Sequence, residues 1–177
     1  MQLTVRILLV LLVGLTIGCD RVTKHLAATT LAGAAPRTYF SGSVQLHYAE
    51  NTGGFLGLGA GLPESARTAI FTIGTGLALA GLLVLMVYSR RRTWPLAGLS
   101  LFLAGGASNW IDRVDAGRVI DFMVIGVGPV RTGIFNVADV AVMLGAAVFL
   151  VSEFRTRDSR PPEPALDPDP QYPIPGR

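Results

Sequence analysis

The sequence predicts an all-α integral membrane protein with four transmembrane helices and a small β-element outside the membrane. Half of its 177 residues are hydrophobic and only 15 % are charged, which is typical of a chain that resides in a bilayer. Four stretches are apolar over about 17 to 25 residues, the length that a helix needs to cross the hydrocarbon core. They are Leu3–Cys19, Ala69–Tyr88, Trp94–Ile111 and Phe135–Phe154.

Arginines near the ends of the spans predict the orientation. Arg90, Arg91 and Arg92 form the densest basic cluster, in the short turn between the second and third spans. Basic clusters of this kind favour the cytoplasmic side, and an even number of spans then places both termini in the cytoplasm. The segment 112–134 also holds three arginines, but they are interleaved with acidic residues, which is mild evidence against this orientation.

The segments predicted to lie outside the membrane contain strand-forming sequence. Val44, Leu46 and Tyr48 alternate with polar residues, which is the period of a half-buried β-strand. The β-branched run that begins at Val119 can pair with them before glycines and Pro129 end it. We therefore expect a short outer β-element.

One membrane domain is predicted over residues 1–157, since no internal repeat divides the chain. Residues 158–177 are rich in proline and acidic residues without hydrophobic periodicity, so we expect a disordered cytoplasmic tail. The chain has fourteen arginines and a single lysine, but no dense basic block that indicates nucleic-acid binding. His25 and His47 lack the spacing of metal ligands, so we expect neither a metal nor a cofactor.

Two aspartates are unusual because hydrophobic residues surround them. Asp121 lies in the stretch VIDFMVIGV, and Asp139 lies about one turn into the fourth span. An ionisable group at membrane depth costs free energy, so a functional role is its default explanation. Glycines and a proline between them let the chain fold back, which can bring the two carboxyls together. Two carboxyls in a poorly solvated site share one proton, the arrangement by which an aspartic peptidase activates water.

Further polar residues recur every three or four positions at the outer ends of the spans, which places each set on one helix face. These sets are Asp20 with Lys24, Asn109 with Asp112 and Arg113, and Asn136 with Asp139. The asparagines could orient the carboxyl pair or hold substrate carbonyls. Structural ion pairs, one within Asp20–Lys24 and one within Asp112–Arg113, are an equally good interpretation of the charged members.

The residues alone leave other functions open. Intramembrane acids also serve ion and proton pathways, so Asp121 and Asp139 are consistent with a small transporter or channel. The interiors of the second and third spans carry no acid, which argues against a polar path across the membrane. Cys19 could instead mark a small lipoprotein that is processed there, although Thr16 occupies the position where such a cleavage site prefers leucine.

Five short motifs follow one another along the chain: Asp20-x-x-x-Lys24, Asn51-x-Gly53, Asn109-x-x-Asp112-Arg113, Val119-Ile120-Asp121-Phe122 and Phe135-Asn136-x-Ala138-Asp139. This ordered set, together with the four-span layout up to about Phe154, strongly resembles the signal peptidase II family, also called lipoprotein signal peptidase. Each motif is weak alone, but five in order are highly specific.

The resemblance implies an aspartic endopeptidase of the bacterial inner membrane that cleaves diacylglyceryl-modified prolipoproteins before the lipidated cysteine. Asp121 and Asp139 match its catalytic pair. The residues that match the supporting or substrate-binding positions are Asp20, Lys24, Asn51, Gly53, Asn109, Asp112, Arg113 and Asn136. The family also has an outer β-sheet called a cradle, a short amphipathic helix and an active site near the outer face of the membrane. Contact with membrane lipids and inhibition by globomycin-type cyclic peptides are further implications.

One stretch departs from the family's pattern. The family usually reads Asn-x-Gly-Ala-Ala-Phe followed by glycine or serine, whereas this chain reads Asn51-Thr52-Gly53-Gly54-Phe55-Leu56-Gly57. A glycine replaces an alanine, and the aromatic residue comes one place early. The aspartate pair is unaffected, so the departure concerns local contacts with substrate or inhibitor and is compatible with a paralogue such as an antibiotic-resistance copy.

Overall fold

The computed structural model describes residues 3–54, 57–88 and 93–158, with side chains described as far as Arg155. The elements in chain order are α1 (Leu3–Thr30), β1 (Arg37–Tyr39), β2 (Val44–Asn51), α2 (Glu64–Arg67), a π-helical segment (Thr68–Gly74), α3 (Thr75–Tyr88), α4 (Thr93–Ala116), β3 (Val119–Val127), β4 (Val130–Arg131) and α5 (Val137–Asp158). The predicted arginine turn at 90–92 and the predicted tail after Asp158 lie outside the described residues.

Three of the described helices are long and apolar enough to cross a membrane: Leu3–Thr30, Glu64–Tyr88 and Val137–Arg155. The second of these is the continuous run of α2, the π-helical segment and α3. Their positions agree with the first, second and fourth predicted spans. Most of their large hydrophobic side chains are exposed in the protein alone, which is typical of helices that face lipid.

The predicted third span corresponds to α4, which at 24 residues is long enough to cross a membrane but is not among the described helices that are also apolar enough. This helix packs against α1, α3 and α5, so other helices enclose much of its surface. A helix enclosed in this way can carry polar groups that lipid would not tolerate. Its buried polar residues are Ser100, Ser108, Asn109 and Asp112. Three of the four predicted spans are therefore supported, and α4 as a span stays a prediction.

Helix α1 extends beyond the predicted first span, which ends at Cys19. It continues to Thr30 because Asp20, Lys24 and Ala27 are buried against the other elements, so packing replaces lipid contact as the stabilising interaction. Cys19 is exposed within this unbroken helix. Cleavage before Cys19 would divide α1 and detach its buried polar half from the apolar half.

Helices α4 and α5 pack so closely that their backbones are in contact at two glycines. A β-carbon added at Gly98 would lie 2.6 Å from the backbone nitrogen of Phe149, and one added at Gly145 would lie 2.5 Å from that of Phe102. Only glycine allows such an approach of two helix backbones. The two helices that carry Asn109 and Asp139 are thereby held in a close and defined relation.

The outer segments form a four-stranded antiparallel sheet in the order β1-β2-β3-β4. Strands β2 and β3 pair from Val44 opposite Ile125 to Asn51 opposite Val119. The predicted strand at Val44 and its predicted pairing with the run from Val119 are both confirmed. The sheet brings the end of β2 next to the start of β3, beside the end of α4.

A small hydrophobic cluster attaches this sheet to the helices. Phe122 of β3 is buried with Ala27 and Leu31 of α1. This contact holds the preceding residue, Asp121, close to the helix ends. In the segment between β2 and α2, the described residues 52–54 and 57–63 form turns and bends, with Gly57 in 3₁₀ conformation. The short amphipathic helix that the resemblance implies stays a prediction.

Candidate active site

A cluster of buried polar side chains lies where α1, α4 and α5 meet β3. Each of these side chains belongs to a residue that is at most 9 % exposed. The members are Asp20, Lys24, Ser108, Asn109, Asp112, Asp121, Asn136 and Asp139. All of them except Ser108 are site residues predicted from the sequence. Buried polar groups are stable only when hydrogen bonds replace their lost hydration, so their bonds define the geometry of the site.

Asn136 caps the N-terminus of α5. Its Oδ1 accepts the backbone N–H of Asp139 at 3.0 Å, and Oδ2 of Asp139 accepts the backbone N–H of Asn136 at 3.2 Å. This reciprocal pattern is a capping box. The three-residue spacing thus holds the Asp139 carboxylate at the start of the helix instead of leaving it deeper in the span.

Asp121 lies in β3 and is bound by two side-chain amides. Asn136 Nδ2 donates to its Oδ1 at 2.6 Å, and Asn51 Nδ2 donates to its Oδ2 at 2.9 Å. Burial raises the pKa of Asp121 above its ordinary value, while these two hydrogen bonds and the charges of Lys24 and Arg113 oppose part of the rise. With only 1 % of the residue exposed, the loss of hydration decides the direction.

Asn109 and Asn136 connect the two carboxyl groups. Asn109 Nδ2 donates to Asp139 Oδ1 at 2.9 Å, and Asn109 Oδ1 accepts from Asn136 Nδ2 at 3.2 Å. Asn136 contacts both acids, with its amide on Asp121 and its backbone on Asp139. The structure therefore brings the two aspartates into one site through a shared neutral partner.

Lys24 is the cation of the cluster. Its ammonium donates to Asp20 Oδ2, Asp112 Oδ2 and Asn109 Oδ1, each at 2.7 Å, which uses all three of its protons. Arg21 also pairs with Asp112. The predicted ion pair between Asp20 and Lys24 is thus present, and it is part of a network that also includes Asp112, Arg21 and Asn109.

Asp20 joins α1 to the beginning of α5. Besides Lys24, it accepts a hydrogen bond from Ser108 Oγ at 2.7 Å and one from the backbone N–H of Ala138 at 2.8 Å. A carboxylate at a helix N-terminus interacts favourably with the unpaired N–H groups there. Because Ala138 is adjacent to Asp139, Asp20 holds the turn that presents this acid.

Arg113 does not pair with Asp112, so the structural ion pair predicted between these two residues is not present. Successive residues on a helix do not face each other, and Asp112 points toward Lys24 while Arg113 points toward the loop after β2. Its Nη2 donates to the carbonyl of Gly53 at 2.8 Å, and its Nη1 donates to the carbonyl of Asn109 at 3.2 Å.

The loop after β2 fixes the orientation of Asn51. Its Oδ1 accepts the N–H of Gly53 at 2.9 Å, and its Nδ2 donates to the carbonyl of Gly54 at 3.0 Å, so the amide nitrogen is directed to Asp121. A β-carbon at Gly53 would lie 2.9 Å from the carbonyl oxygen of Gly57, closer than real contacts allow. The lack of space for a side chain explains the glycine at position 53, and its predicted supporting or substrate-binding role stays a prediction.

Phe71 of the π-helical segment accounts for the glycine that departs from the family's pattern. A β-carbon added at Gly54 would lie 2.8 Å from its ring, and one added at Gly59 would lie 2.9 Å from it. The guanidinium of Arg113 lies 5.9 Å from the ring centroid, within cation–π range. The ring thus fills the space that an alanine side chain would need at position 54.

Three contributors to the site are not predicted from the sequence: Ser108, Arg21 and Phe71. Ser108 and Arg21 each adjoin a predicted site residue, so adjacency is a usable signal for them. Phe71 lies in an apolar span and has no such signal. Within the part of the chain that the structure describes, no group of His, Cys, Asp and Glu side chains could hold a metal ion.

Comparison with known proteins gives a consistent result. A family model described as Signal peptidase (SPase) II matches residues 12–155. The lipoprotein signal peptidase of Chlorobium phaeobacteroides is 35 % identical over 155 residues, which cover 81 % of this chain and 94 % of that protein. That of Desulforapulum autotrophicum is 34 % identical over 137 residues, which cover 76 % and 83 %.

Two solved structures described as bacterial membrane enzymes have the same fold. One superposes with a TM-score of 0.75 at 23 % identity and covers 89 % of this chain and 93 % of the other. The second superposes with a TM-score of 0.72 at 25 % identity and covers 83 % and 92 %. The similarity thus extends over most of the helices and the sheet.

Proposed function

The chain belongs to the signal peptidase II family, and from this membership we propose that it removes signal peptides from diacylglyceryl-modified prolipoproteins, cleaving before the lipidated cysteine. The family model covers most of the chain, and its relatives are named lipoprotein signal peptidases. The general activity is therefore that of a protease. The finer proposal concerns the substrate, the catalytic groups and the side of the membrane on which they act.

The observation that carries the mechanism is the environment of Asp121 and Asp139. Both are buried and share Asn136, and among the described residues neither forms a salt bridge with a cation. Two such carboxyls hold one proton between them at neutral pH. The ionised member takes a proton from water, which attacks the peptide carbonyl, and the protonated member donates to the developing oxyanion.

The supporting asparagines leave room for this chemistry. A carboxylate offers about four lone-pair sites, and the bonds described above use two on each aspartate. The remaining sites are available for water and for the shared proton. Asn51, Asn109 and Asn136 carry no charge, so they orient the acids without fixing either in the ionised state.

We further propose that α4 is the fourth span, that both termini are cytoplasmic and that the acids act near the outer face of the bacterial inner membrane. Asp139 at the start of α5 and Asp112 near the end of α4 support one common level for the polar cluster, at the end where the sheet is attached. A diacylglyceryl group holds the scissile bond near the membrane surface, with about 0.8 kcal/mol for each buried methylene.

The transporter hypothesis has less support. Among the described residues, the buried charged groups all belong to one cluster, and α3 has no acidic or basic side chain between Thr75 and Tyr88. A conduction path needs polar groups across the whole membrane, whereas hydrolysis needs them only where the peptide bond and water meet.

The test uses the purified full chain in detergent with a diacylglyceryl-modified prolipoprotein. We expect release of the signal peptide, seen by mass spectrometry, and a product that begins at the lipidated cysteine. The same precursor without the diacylglyceryl group is the control and is expected to remain uncut. A globomycin-type cyclic peptide is expected to inhibit. Absence of cleavage of the lipidated precursor would contradict the proposal.

A further inference from the structure

A polar cavity of about 260 Å³ lies beside the catalytic cluster. Its lining includes Arg67, Arg113 and Arg118, together with Thr52, Glu64 and Phe71. We call it the arginine cavity. Neither the family's motifs nor the predicted site residues account for it, since Arg67 and Arg118 belong to none of them.

The position of the arginine cavity relates it to one side of the substrate. Thr52 follows Asn51, which donates to Asp121, so the cavity adjoins the catalytic pair. Arg118 comes after the end of α4, and Arg67 precedes the apolar part of the long helix. In the proposed orientation these chain positions lie at the outer face, which places the cavity on the aqueous side of the acids. In a prolipoprotein the apolar signal peptide stays in the bilayer, so the chain after the cysteine is the part that reaches this side.

The charge of the cavity is positive. Three guanidinium groups line it against the single carboxylate of Glu64. Arg67 and Arg113 donate to backbone carbonyls and, among the described residues, form no salt bridge with an acid. Arg118 pairs with Glu50 at 3.1 Å, but both side chains are more than 40 % exposed, so water weakens the pair.

One donor in the wall has no acceptor. The Nε of Arg113 is buried and without a hydrogen-bond partner, although both of its terminal nitrogens are used. Because this nitrogen is shielded from solvent, a ligand in the cavity does not reach it, and it adds nothing to the choice of ligand. The excess positive charge of the lining indicates the class of ligand, an oxyanion.

We propose that the arginine cavity binds the first residues of the mature lipoprotein, those after the lipidated cysteine, and prefers an acidic side chain among them. This inference rests on the proposed function, because it assigns a part of the same substrate. Arg118 and Arg67 supply the charge, and the cavity determines substrate preference without taking part in bond cleavage.

The experiment uses a series of diacylglyceryl-modified prolipoproteins that carry Glu, Gln or Lys at each of the three positions after the cysteine. At one of them we expect the KM for the Glu substrate to be about threefold to fivefold lower than for the Lys substrate, the size of a partly exposed ion pair. The kcat is expected to be equal, and the difference is expected to shrink at high ionic strength.

Variants separate the cavity from general charge effects. Arg118→Gln is expected to remove most of the preference, and Arg118→Glu is expected to favour the Lys substrate instead. The matched control is Arg37→Gln, because Arg37 is an exposed arginine on β1 that does not line the cavity. It removes the same charge and is expected to keep the preference.

The outcomes distinguish the two levels of the proposal. Equal KM values for Glu, Gln and Lys at all three positions, with normal cleavage, would overturn the inference and leave the proposed function intact. A KM that responds to anionic lipid through Arg118, but not to substrate charge, would assign the cavity to a lipid headgroup and would also overturn it. No cleavage of any precursor would overturn the proposed function itself.

Discussion

Two pairs of buried aspartates lie in the same cluster but differ in what compensates their charge. Asp20 and Asp112 share the ammonium of Lys24, whereas Asp121 and Asp139 share the neutral Asn136. All four residues are at most 9 % exposed, so burial does not distinguish the pairs. We refer to them below as the lysine pair and the asparagine pair.

The comparison teaches that the partner, more than the depth, distinguishes the two pairs. Removing the cation from a buried ion pair leaves an uncompensated charge, which is strongly destabilising. A buried carboxylate beside neutral amides has no such cation, and burial favours its protonated form. Under the proposed function, the asparagine pair exchanges protons with water and substrate, and the lysine pair has a structural role.

The largest expected effect comes from neutralising the asparagine pair. Asp121→Asn and Asp139→Asn are each expected to lower the rate of cleavage by about 10³-fold or more, since each removes an acid or base that acts in the reaction. The folded state is expected to lose about 1–3 kcal/mol, because both oxygens of each aspartate accept hydrogen bonds and the new amide nitrogen replaces one of these acceptors with a donor. The measurements are signal peptide release and the thermal unfolding midpoint in detergent.

Asp112→Asn is the matched change in the lysine pair, and it is expected to lower the unfolding midpoint further while leaving a measurable rate, because it removes a charge that Lys24 and Arg21 bind. If Asp121→Asn cleaves as fast as the unmodified protein, the two pairs do not differ in the way proposed.

The next effect concerns the cation of the lysine pair. Lys24→Met is expected to destabilise the protein by about 3 kcal/mol, because it leaves the buried carboxylate of Asp20 without a cation and leaves Asp112 with Arg21 alone. The check is equilibrium unfolding in detergent, with Arg37→Met as a control for the loss of an exposed positive charge. An unchanged unfolding midpoint for Lys24→Met would show that the network carries little of the stability.

A smaller effect is expected from the loop that supports only the asparagine pair. Gly54→Ala places a methyl group against Phe71 and displaces the carbonyl that Asn51 binds. Overpacking of this kind costs about 1–3 kcal/mol, and we expect a loss of about tenfold in kcat without destabilisation of the lysine pair. The measurement is steady-state cleavage of the lipidated precursor.

The double variant Gly54→Ala, Phe71→Ala tests the cause of this loss. It is expected to recover part of the rate relative to Gly54→Ala alone, since the ring no longer occupies the space. Losses that add in the double variant would contradict the explanation of the glycine at position 54.

The smallest effect is a pH dependence of stability. Since the pKa of Asp121 is raised by burial, the folded protein holds this proton more tightly than the unfolded chain. The resulting stabilisation is complete below the ordinary pKa of an aspartate and is lost as pH rises through the raised pKa. A tenfold difference in proton affinity between the two states corresponds to about 1.4 kcal/mol. Unfolding midpoints measured across this range should fall more steeply in the unmodified protein than in Asp121→Asn. An equal pH dependence of the unfolding midpoint in the two proteins would contradict a contribution of Asp121 to stability.

The sequence predicts the parts of the molecule in which one local signal dominates. Apolar runs indicate three of the helices, and alternation at Val44 indicates the strand that pairs with β3. The hydrophobic flanks of Asp121 and Asp139 identify the acids. Each of these signals depends on neighbours in the chain, which a sequence displays directly.

Features that depend on tertiary partners are not predictable in the same way. The extension of α1 past Cys19 depends on the burial of its polar residues by other helices. Asp112 pairs with Lys24 and not with the adjacent Arg113, because the helix directs the two side chains differently. The contact between Phe71 and Gly54 connects a span to a loop, and no sequence pattern in the span or in the loop predicts it.

The bonds of Asp20 have a consequence for biosynthesis. Its partners Ser108 and Ala138 lie 88 and 118 residues later in the chain, so α1 leaves the ribosome long before they exist. During this interval Lys24, four residues away on the same helix, is the one partner of the final set that is already present. Lys24 is thus the one of these partners that can bind Asp20 within α1 alone, at the four-residue spacing in which an acid that precedes its base is favourable on a helix.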